Sequence, residues 1–151
     1  MKADVNTQHP YIQHMNDIAE QDVVVIDNVK GFPAYGEVYL APDMLILICH
    51  EGELWVKDMP DKTFKAHDIS ILLPDQIVAF LRASTDYRAT LIGISRKFHD
   101  RLQHSYPYTR YAPRYRRRPA THLTDEQYKS LLDMVELVRS ISQSKSVHRA
   151  E

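Results

Sequence analysis

From Asp22 to Ile94 the sequence is a succession of short runs rich in β-branched, aromatic and aliphatic residues, each closed by a turn signal. The runs cover residues 23–26, 37–40, 44–50, 54–57, 69–73, 77–81 and 88–94. Between them lie Asp27-Asn28, Lys30-Gly31, Pro42-Asp43, Glu51-Gly52, Met59-Pro60-Asp61, Pro74-Asp75 and Ser84-Thr85-Asp86. Strand-length runs at this spacing predict an all-β sandwich or barrel. There are too few helical patterns between them for a parallel βαβ sheet. With only 4 glycines in the chain, Asp, Asn and Pro do much of the bending. Glu51-Gly52-Glu53 and Pro60-Asp61-Lys62 both read as hairpin connections.

After Ser95 the period changes. Ser95 is placed to cap a short helix to about residue 104, with Phe98 and Leu102 one turn apart. Residues 106–119 form a connector in which Pro107, Pro113 and Pro119 forbid a continuous helix. A capping box follows at Thr124-Asp125-Glu126-Gln127, with Leu123 and Tyr128 placed as a hydrophobic staple across it. Two acids in the first turn suit the helix dipole. This helix is expected to run to about residue 142. Its apolar positions are Tyr128, Leu131, Leu132, Met134, Val135, Leu137, Val138 and Ile141. They cover an arc of roughly 220°, against about 100° for an ordinary surface helix. One part of that arc can pack on the β structure. For the rest, a second copy of the helix in a homodimer is the economical partner, with Leu131, Met134, Leu137, Val138 and Ile141 as the interface. A stripe this broad also fits plain core.

At 151 residues one domain is expected, and an apolar fraction of 44% is ordinary for a globular chain. The formal net charge is -1, from 19 basic and 20 acidic side chains, so no overall field holds nucleic acid non-specifically. The single cysteine, Cys49, excludes an internal disulfide and fits a reducing compartment. Residues 1–13 lack the apolar core of a signal peptide, and the longest apolar run, 44–49, has strand length rather than membrane-span length. A cytoplasmic location without membrane contact is the expectation. Residues 1–22 are mostly polar, with room for one short helix over 12–19.

The stretch Met44-Leu-Ile-Leu-Ile-Cys-His-Glu-Gly-Glu-Leu-Trp-Val56 resembles the start of the cupin domain of AraC-type transcription regulators, where an apolar strand meets a glycine turn and the next strand begins at once. Lys65-Ala-His-Asp-Ile-Ser-Ile-Leu-Leu-Pro-Asp-Gln-Ile77 is similar to the following segment of such domains, an aspartate before an apolar strand that stops at a proline. The ending agrees as well: a strand into Ile94, a Ser-Arg-Lys-Phe helix, a proline-containing connector and a His-Leu-Thr-Asp-Glu-Gln helix start. The resemblance spans about residues 20 to 142 and lies in the order and spacing of these pieces.

What the resemblance implies is a mainly β chain, a cupin-like double-stranded β-helix (jelly-roll barrel) followed by two C-terminal helices. The barrel would bind a small-molecule effector and the helices would pair two subunits. The implied division is an arm over 1–21, the barrel over 22–95, a helical dimerisation segment over 96–143 and a linker stub over 144–151. Family members usually continue into a domain with two helix-turn-helix motifs. The sequence is therefore expected to be the amino-terminal portion of a longer protein, or one cut at the linker. DNA would be touched only through a domain outside it.

Effector contacts in the family come from the residue before the turn glycine, the strand after the proline and the last long strand. Carried onto this sequence, these are Glu51, then Val78 and Phe80, then Ala89 and Leu91. Alternation puts Leu45, Leu47, Cys49 and Glu51 on one strand face. Tyr35, Tyr39 and Trp55 add aromatic walls. Most of these positions are apolar, which points away from a sugar and towards a more apolar ligand, or to a barrel filled by its own side chains as a pure assembly domain.

Cupins are also often metal enzymes, and a stand-alone metal-dependent enzyme is the alternative. Such a site needs three or four ligands converging on one point. Here His50 and Glu51 are adjacent and so on opposite strand faces, residues 77–81 hold no ligand, His67 lies near a turn, and His99 and His104 lie on the short helix. No metal or other cofactor, and no catalytic residue, is expected. Cys49 beside His50 suggests a nucleophilic pair, but its apolar strand favours an inert buried thiol. Arg110, Arg114, Arg116, Arg117 and Arg118, interleaved with Tyr106, Tyr108, Tyr111 and Tyr115, fit either a solvated connector or a contribution to nucleic-acid affinity.

Overall fold

A computed structural model of the chain describes residues 22–31, 38–40, 43–57, 63–105 and 120–150, with the backbone alone for 38–40 and 142–150. The strands are β1 (Val23–Val29), β2 (Val38–Leu40), β3 (Met44–Glu51), β4 (Glu53–Val56), β5 (Thr63–Lys65), β6 (Asp68–Leu72), β7 (Ile77–Ala83), β8 (Arg88–Ile94) and β9 (Ala120–His122). The helices are α1 (Arg96–Ser105) and α2 (Asp125–Ala150). The protein is mainly β, with both helices in its C-terminal part.

The strands form two antiparallel sheets, in the orders β1-β8-β3-β6-β9 and β2-β7-β4-β5. Among β1 to β8, consecutive strands lie in opposite sheets, with β4 and β5 the exception. β4 and β5 pair as the hairpin expected around Pro60-Asp61-Lys62, whose turn lies outside the described residues. The other expected hairpin does not form. β3 pairs with β6 and β8, and β4 with β5 and β7, so Glu51-Gly52-Glu53 is a corner between sheets. Gly52 has φ +77°, and a Cβ there would stand 2.7 Å from the Tyr87 backbone. A left-handed residue without a side chain is what lets the corner close. His67, with φ 72°, turns the second such corner, from β5 into β6.

Strand β3 is apolar along its length because both its faces are covered. Leu45, Leu47 and Cys49 point between the sheets, where they meet Leu54, Val56, Phe64, Phe80, Ala89 and Leu91. Ile46 and Ile48 point the other way, into a second cluster with Val23, Val25, Ile69 and Ile92 beneath Tyr128, Leu131 and Val135 of α2. An alternating strand becomes a continuous apolar run when a helix roofs its outer face. Ile48 is 0% exposed, a burial that contributes about 1.5–3 kcal/mol.

Both helix starts form as their sequences dictate. The Ser95 hydroxyl accepts from the Phe98 amide at 3.1 Å and opens α1. In the capping box the Gln127 amide donates to Thr124 Oγ1 at 3.1 Å, and the Thr124 amide donates to Gln127 Oε1 at 2.9 Å. α2 passes the expected end near residue 142 and continues to Ala150, across the implied start of the linker. β9, inside the segment assigned to helices, adds an edge strand to the first sheet. The expected arm over 1–21, its helix over 12–19 and the Arg/Tyr connector over 106–119 lie outside the described residues. Among the described residues no helix is long and apolar enough to cross a membrane.

Candidate functional site

Of the side chains expected to line a ligand site, the space between the sheets brings together Phe80, Ala89 and Leu91, with Val78 packed against their cluster. Phe80 is 4% exposed, Ala89 0% and Leu91 1%. Tyr39 pairs with Val78 in the β2–β7 ladder, and Tyr35 lies outside the described residues. Two expected wall residues are elsewhere. Trp55 sits between the inward-facing Leu54 and Val56, so alternation turns it to the outer face of the second sheet. There the Arg82 guanidinium stacks 4.0 Å from its ring centroid.

Glu51 leaves the interior for a different reason. Cys49 pairs with Ala89 and Glu51 with Arg88, so His50 is an extra residue in a β-bulge. A one-residue insertion reverses the face of everything after it. Glu51 therefore shares a face with Arg88, to which it pairs at 3.4 Å, rather than with Leu47 and Cys49.

A second bulge lies on the other side of β8, where Ile26 pairs with Leu91 and Val29 with Ala89. It carries Asp27 and Asn28, the latter at φ 56°. The two bulges turn Asp27 and His50 towards Thr90 of the intervening strand, on the face that α2 covers. Bulges re-aim side chains in this way, often beside functional sites.

The result is a chain of hydrogen bonds from Asp27 through Thr90 and His50 to Tyr128. The Thr90 hydroxyl donates to Asp27 Oδ1 at 3.4 Å. The same hydroxyl oxygen lies 2.7 Å from His50 Nε2, and in the Nε2–H tautomer it accepts from that nitrogen. Nδ1 of the neutral ring is then an acceptor, and the Tyr128 hydroxyl of α2 donates to it in a short hydrogen bond. At the far end Arg139, about three turns further along α2, donates to both oxygens of Asp27, to Oδ1 at 3.1 Å. The helix is thus bonded to both ends of one relay. On the other side of Tyr128 the His67 ring stacks at 4.0 Å between centroids and 15° between planes, and its Nδ1 lies 3.3 Å from Asp125 of α2.

Electrostatics favour this protonation pattern. Hydrogen bonding from Arg139 holds the Asp27 carboxyl below its ordinary range, against the opposing effect of burial. Burial, and after it the nearby Arg88, hold His50 below the usual histidine value and so keep the ring neutral. Burial raises the Tyr128 phenol, which stays a donor. Cys49 is buried on the opposite face of β3 from His50, and desolvation pushes its thiol up to about 12, so the two form no nucleophilic pair.

Among the described residues no three His, Cys, Asp or Glu side chains gather closely enough to hold a metal ion. His99 is buried at the base of α1, while His122 pairs with Asp68 at 2.7 Å. No protein-family model matches the sequence, and no curated protein is similar to it at a significant level.

The expected interface residues divide along α2. Met134 and Leu137 are each 62% exposed and Ile141 is 49% exposed. Leu131 is half-buried against the first sheet, and Val138 is half-buried. The broad apolar arc is therefore two stripes, Tyr128, Leu131 and Val135 on the sheet and Met134, Leu137 and Ile141 in the open.

The relay of Asp27, His50, Thr90, Tyr128 and Arg139 was not foreseen from the sequence. Its one legible signal is the run Tyr128, Leu131, Val135, Arg139, which keeps a single helix face with a polar residue at each end. The bulges that complete it have no comparable mark.

Proposed function

We propose that this chain is the effector-sensing and dimerising domain of an AraC-type transcription regulator, with a cupin-like jelly-roll barrel as its body. The strand orders 1-8-3-6 and 2-7-4-5, with β9 as an added edge, match the pairing of an eight-stranded jelly roll with two Greek keys. The observation that carries the reading is the second apolar stripe of α2. Met134, Leu137 and Ile141 lie along one exposed face of a helix whose opposite face already packs on the sheet. A second copy of that stripe is the partner of matching chemistry, and the pairing would be two-fold.

In this reading the effector occupies the space between the sheets, bounded by Val78, Phe80, Ala89 and Leu91, and is more apolar than a sugar. Occupancy biases the geometry of the helix pair. DNA contact in such a cytoplasmic regulator falls to a separate domain, consistent with a formal charge of -1 here.

A second reading has a specific observation in its favour. Phe80, Ala89 and Leu91 are almost wholly enclosed by neighbouring side chains, as in an assembly domain whose barrel is filled by its own core. Thermal unfolding with a panel of apolar carboxylic acids and aromatic metabolites separates the two. Sensing predicts a ligand that raises the melting temperature in wild type, with the shift lost in Ala89→Leu. The absence of a shift for every compound, with a dimer that Leu137→Glu dissociates, would leave the assembly reading.

A further inference from the structure

Two polar side chains, Asp68 and Ser70, share the inner face of β6 with Leu72, while Ile69 between them faces α2. Both are buried, Asp68 at 9% exposed and Ser70 at 4%. Both oxygens of Asp68 are engaged. Oδ2 accepts from the Lys65 amide at 2.8 Å, and Oδ1 is bonded to His122 Nδ1 at 2.7 Å. The Ser70 hydroxyl differs, since among the described residues it has no hydrogen-bond partner. Its cross-strand neighbours, Leu47 of β3 and Ala120 of β9, bring only apolar side chains to it. Alanine would serve the core here without burying an unsatisfied donor and acceptor.

We propose that the Ser70 hydroxyl is the polar anchor of the effector site between the sheets, and that it selects a compact, uncharged ligand with an apolar body and one hydroxyl group, an alcohol or a phenol. This inference rests on the sensing reading above and narrows it.

Position and charge set that class. Ser70 lies one strand in from the edge of the first sheet, with only the three residues of β9 outside it, so the hydroxyl stands near the rim of the sandwich. Diagonal to it on the inner face is the small side chain of Cys49, which pairs with Ala89 of β8. Phe64 and Phe80 of the second sheet belong to the same cluster. Small residues on one wall and aromatic rings on the other suit a flat apolar body. Asp68 is two residues away on the same strand face, about 7 Å along the strand. Burial, and after it the charge of Asp68, hold the Cys49 thiol up, so the field of Asp68 reaches this part of the core. A carboxylate ligand would meet like charge there with little water to screen it. A neutral hydroxyl meets no such opposition, and Ser70 can donate to it or accept from it.

The test is an NMR titration of the chain with benzyl alcohol, toluene and benzoate, following the methyl signals of Leu47, Ala89 and Leu91. Benzyl alcohol is expected to shift these methyls saturably and about tenfold more tightly than toluene, the worth of one buried hydrogen bond, while benzoate leaves them unmoved. Nuclear Overhauser contacts should join the benzyl methylene to the Ser70 β protons. Ser70→Ala should bind benzyl alcohol no better than toluene and, having lost an unsatisfied hydroxyl, should unfold at the same temperature as wild type or higher. Equal affinity for benzyl alcohol and toluene in wild type, or a preference that survives Ser70→Ala, would overturn the anchor while leaving the sensing reading in place, because the interior would still take a ligand. Unmoved methyls with all three probes would also overturn it, and the sensing reading would then be judged by the melting-temperature panel alone. Should Ser70→Ala fail to fold, the order of the three probes in wild type and the contacts to the Ser70 β protons decide.

Discussion

The Tyr128 hydroxyl, in the first turns of α2, is hydrogen-bonded to Nδ1 of His50, the inserted residue of a bulge in β3. Seventy-eight positions of sequence separate the two residues, and their bond joins the C-terminal helix to the centre of the first sheet. Helix and sheet therefore act as one unit through directional contacts as well as apolar ones.

Removing that hydroxyl leaves His50 Nδ1 without its partner while the ring stacked on His67 stays. Tyr128→Phe is expected to lower unfolding stability by about 1–2 kcal/mol. Urea titration checks this as a fall in midpoint with an unchanged slope.

The Asp27–Arg139 pair sets a separate pH dependence. Arg139 holds Asp27 below its ordinary 3.8, so this stabilisation is complete above that value and lost as pH falls through the lower, folded value. Asp27→Asn should be less stable than wild type at pH 7 and should converge with it in strong acid. Paired denaturant titrations over that range measure the difference.

Gly52 occupies a corner that admits no side chain. Gly52→Ala would add a Cβ 2.7 Å from the Tyr87 backbone at a φ of +77°. Strain at the φ alone costs about 1–3 kcal/mol, and the contact adds to it. A clear drop in melting temperature with native far-UV circular dichroism is the expected result.

Cys49, 1% exposed and with a thiol pushed up to about 12, should resist thiol reagents in the native state. Labelling at neutral pH is expected to follow global opening and to accelerate with urea. Prompt, denaturant-independent labelling would mean that the space between the sheets is open to solvent.

The parts of the structure legible in the sequence were those governed by local chemistry. Turn residues and apolar runs give the long strands close to their observed bounds. Ser95 and the Thr124–Gln127 box give both helix starts, because capping needs only residues within one turn. β5 and β9, each with 3 residues, carry too little pattern to be seen and exist through pairing with β4 and β6. Glu51 shows the sharper limit. Strict alternation places it beside Cys49 in the interior, and one inserted residue turns it outward to Arg88. Bulges depend on how two distant strands settle their register, so neither that reversal nor the meeting of Asp27, His50 and Thr90 is written in any local stretch. Trp55 was within reach of local reasoning, since Leu54 and Val56 on either side are the better core residues.

The measurement that bears most directly on the proposed role is the solution mass of the chain by light scattering, for wild type and for Met134→Glu and Leu137→Glu. Both substitutions fall on exposed positions, so neither should disturb the fold. A wild-type dimer that each variant converts to a folded monomer is the predicted result. A wild-type monomer across the accessible concentration range, with the same mass in both variants, would contradict it and remove the second copy from the outer face of α2.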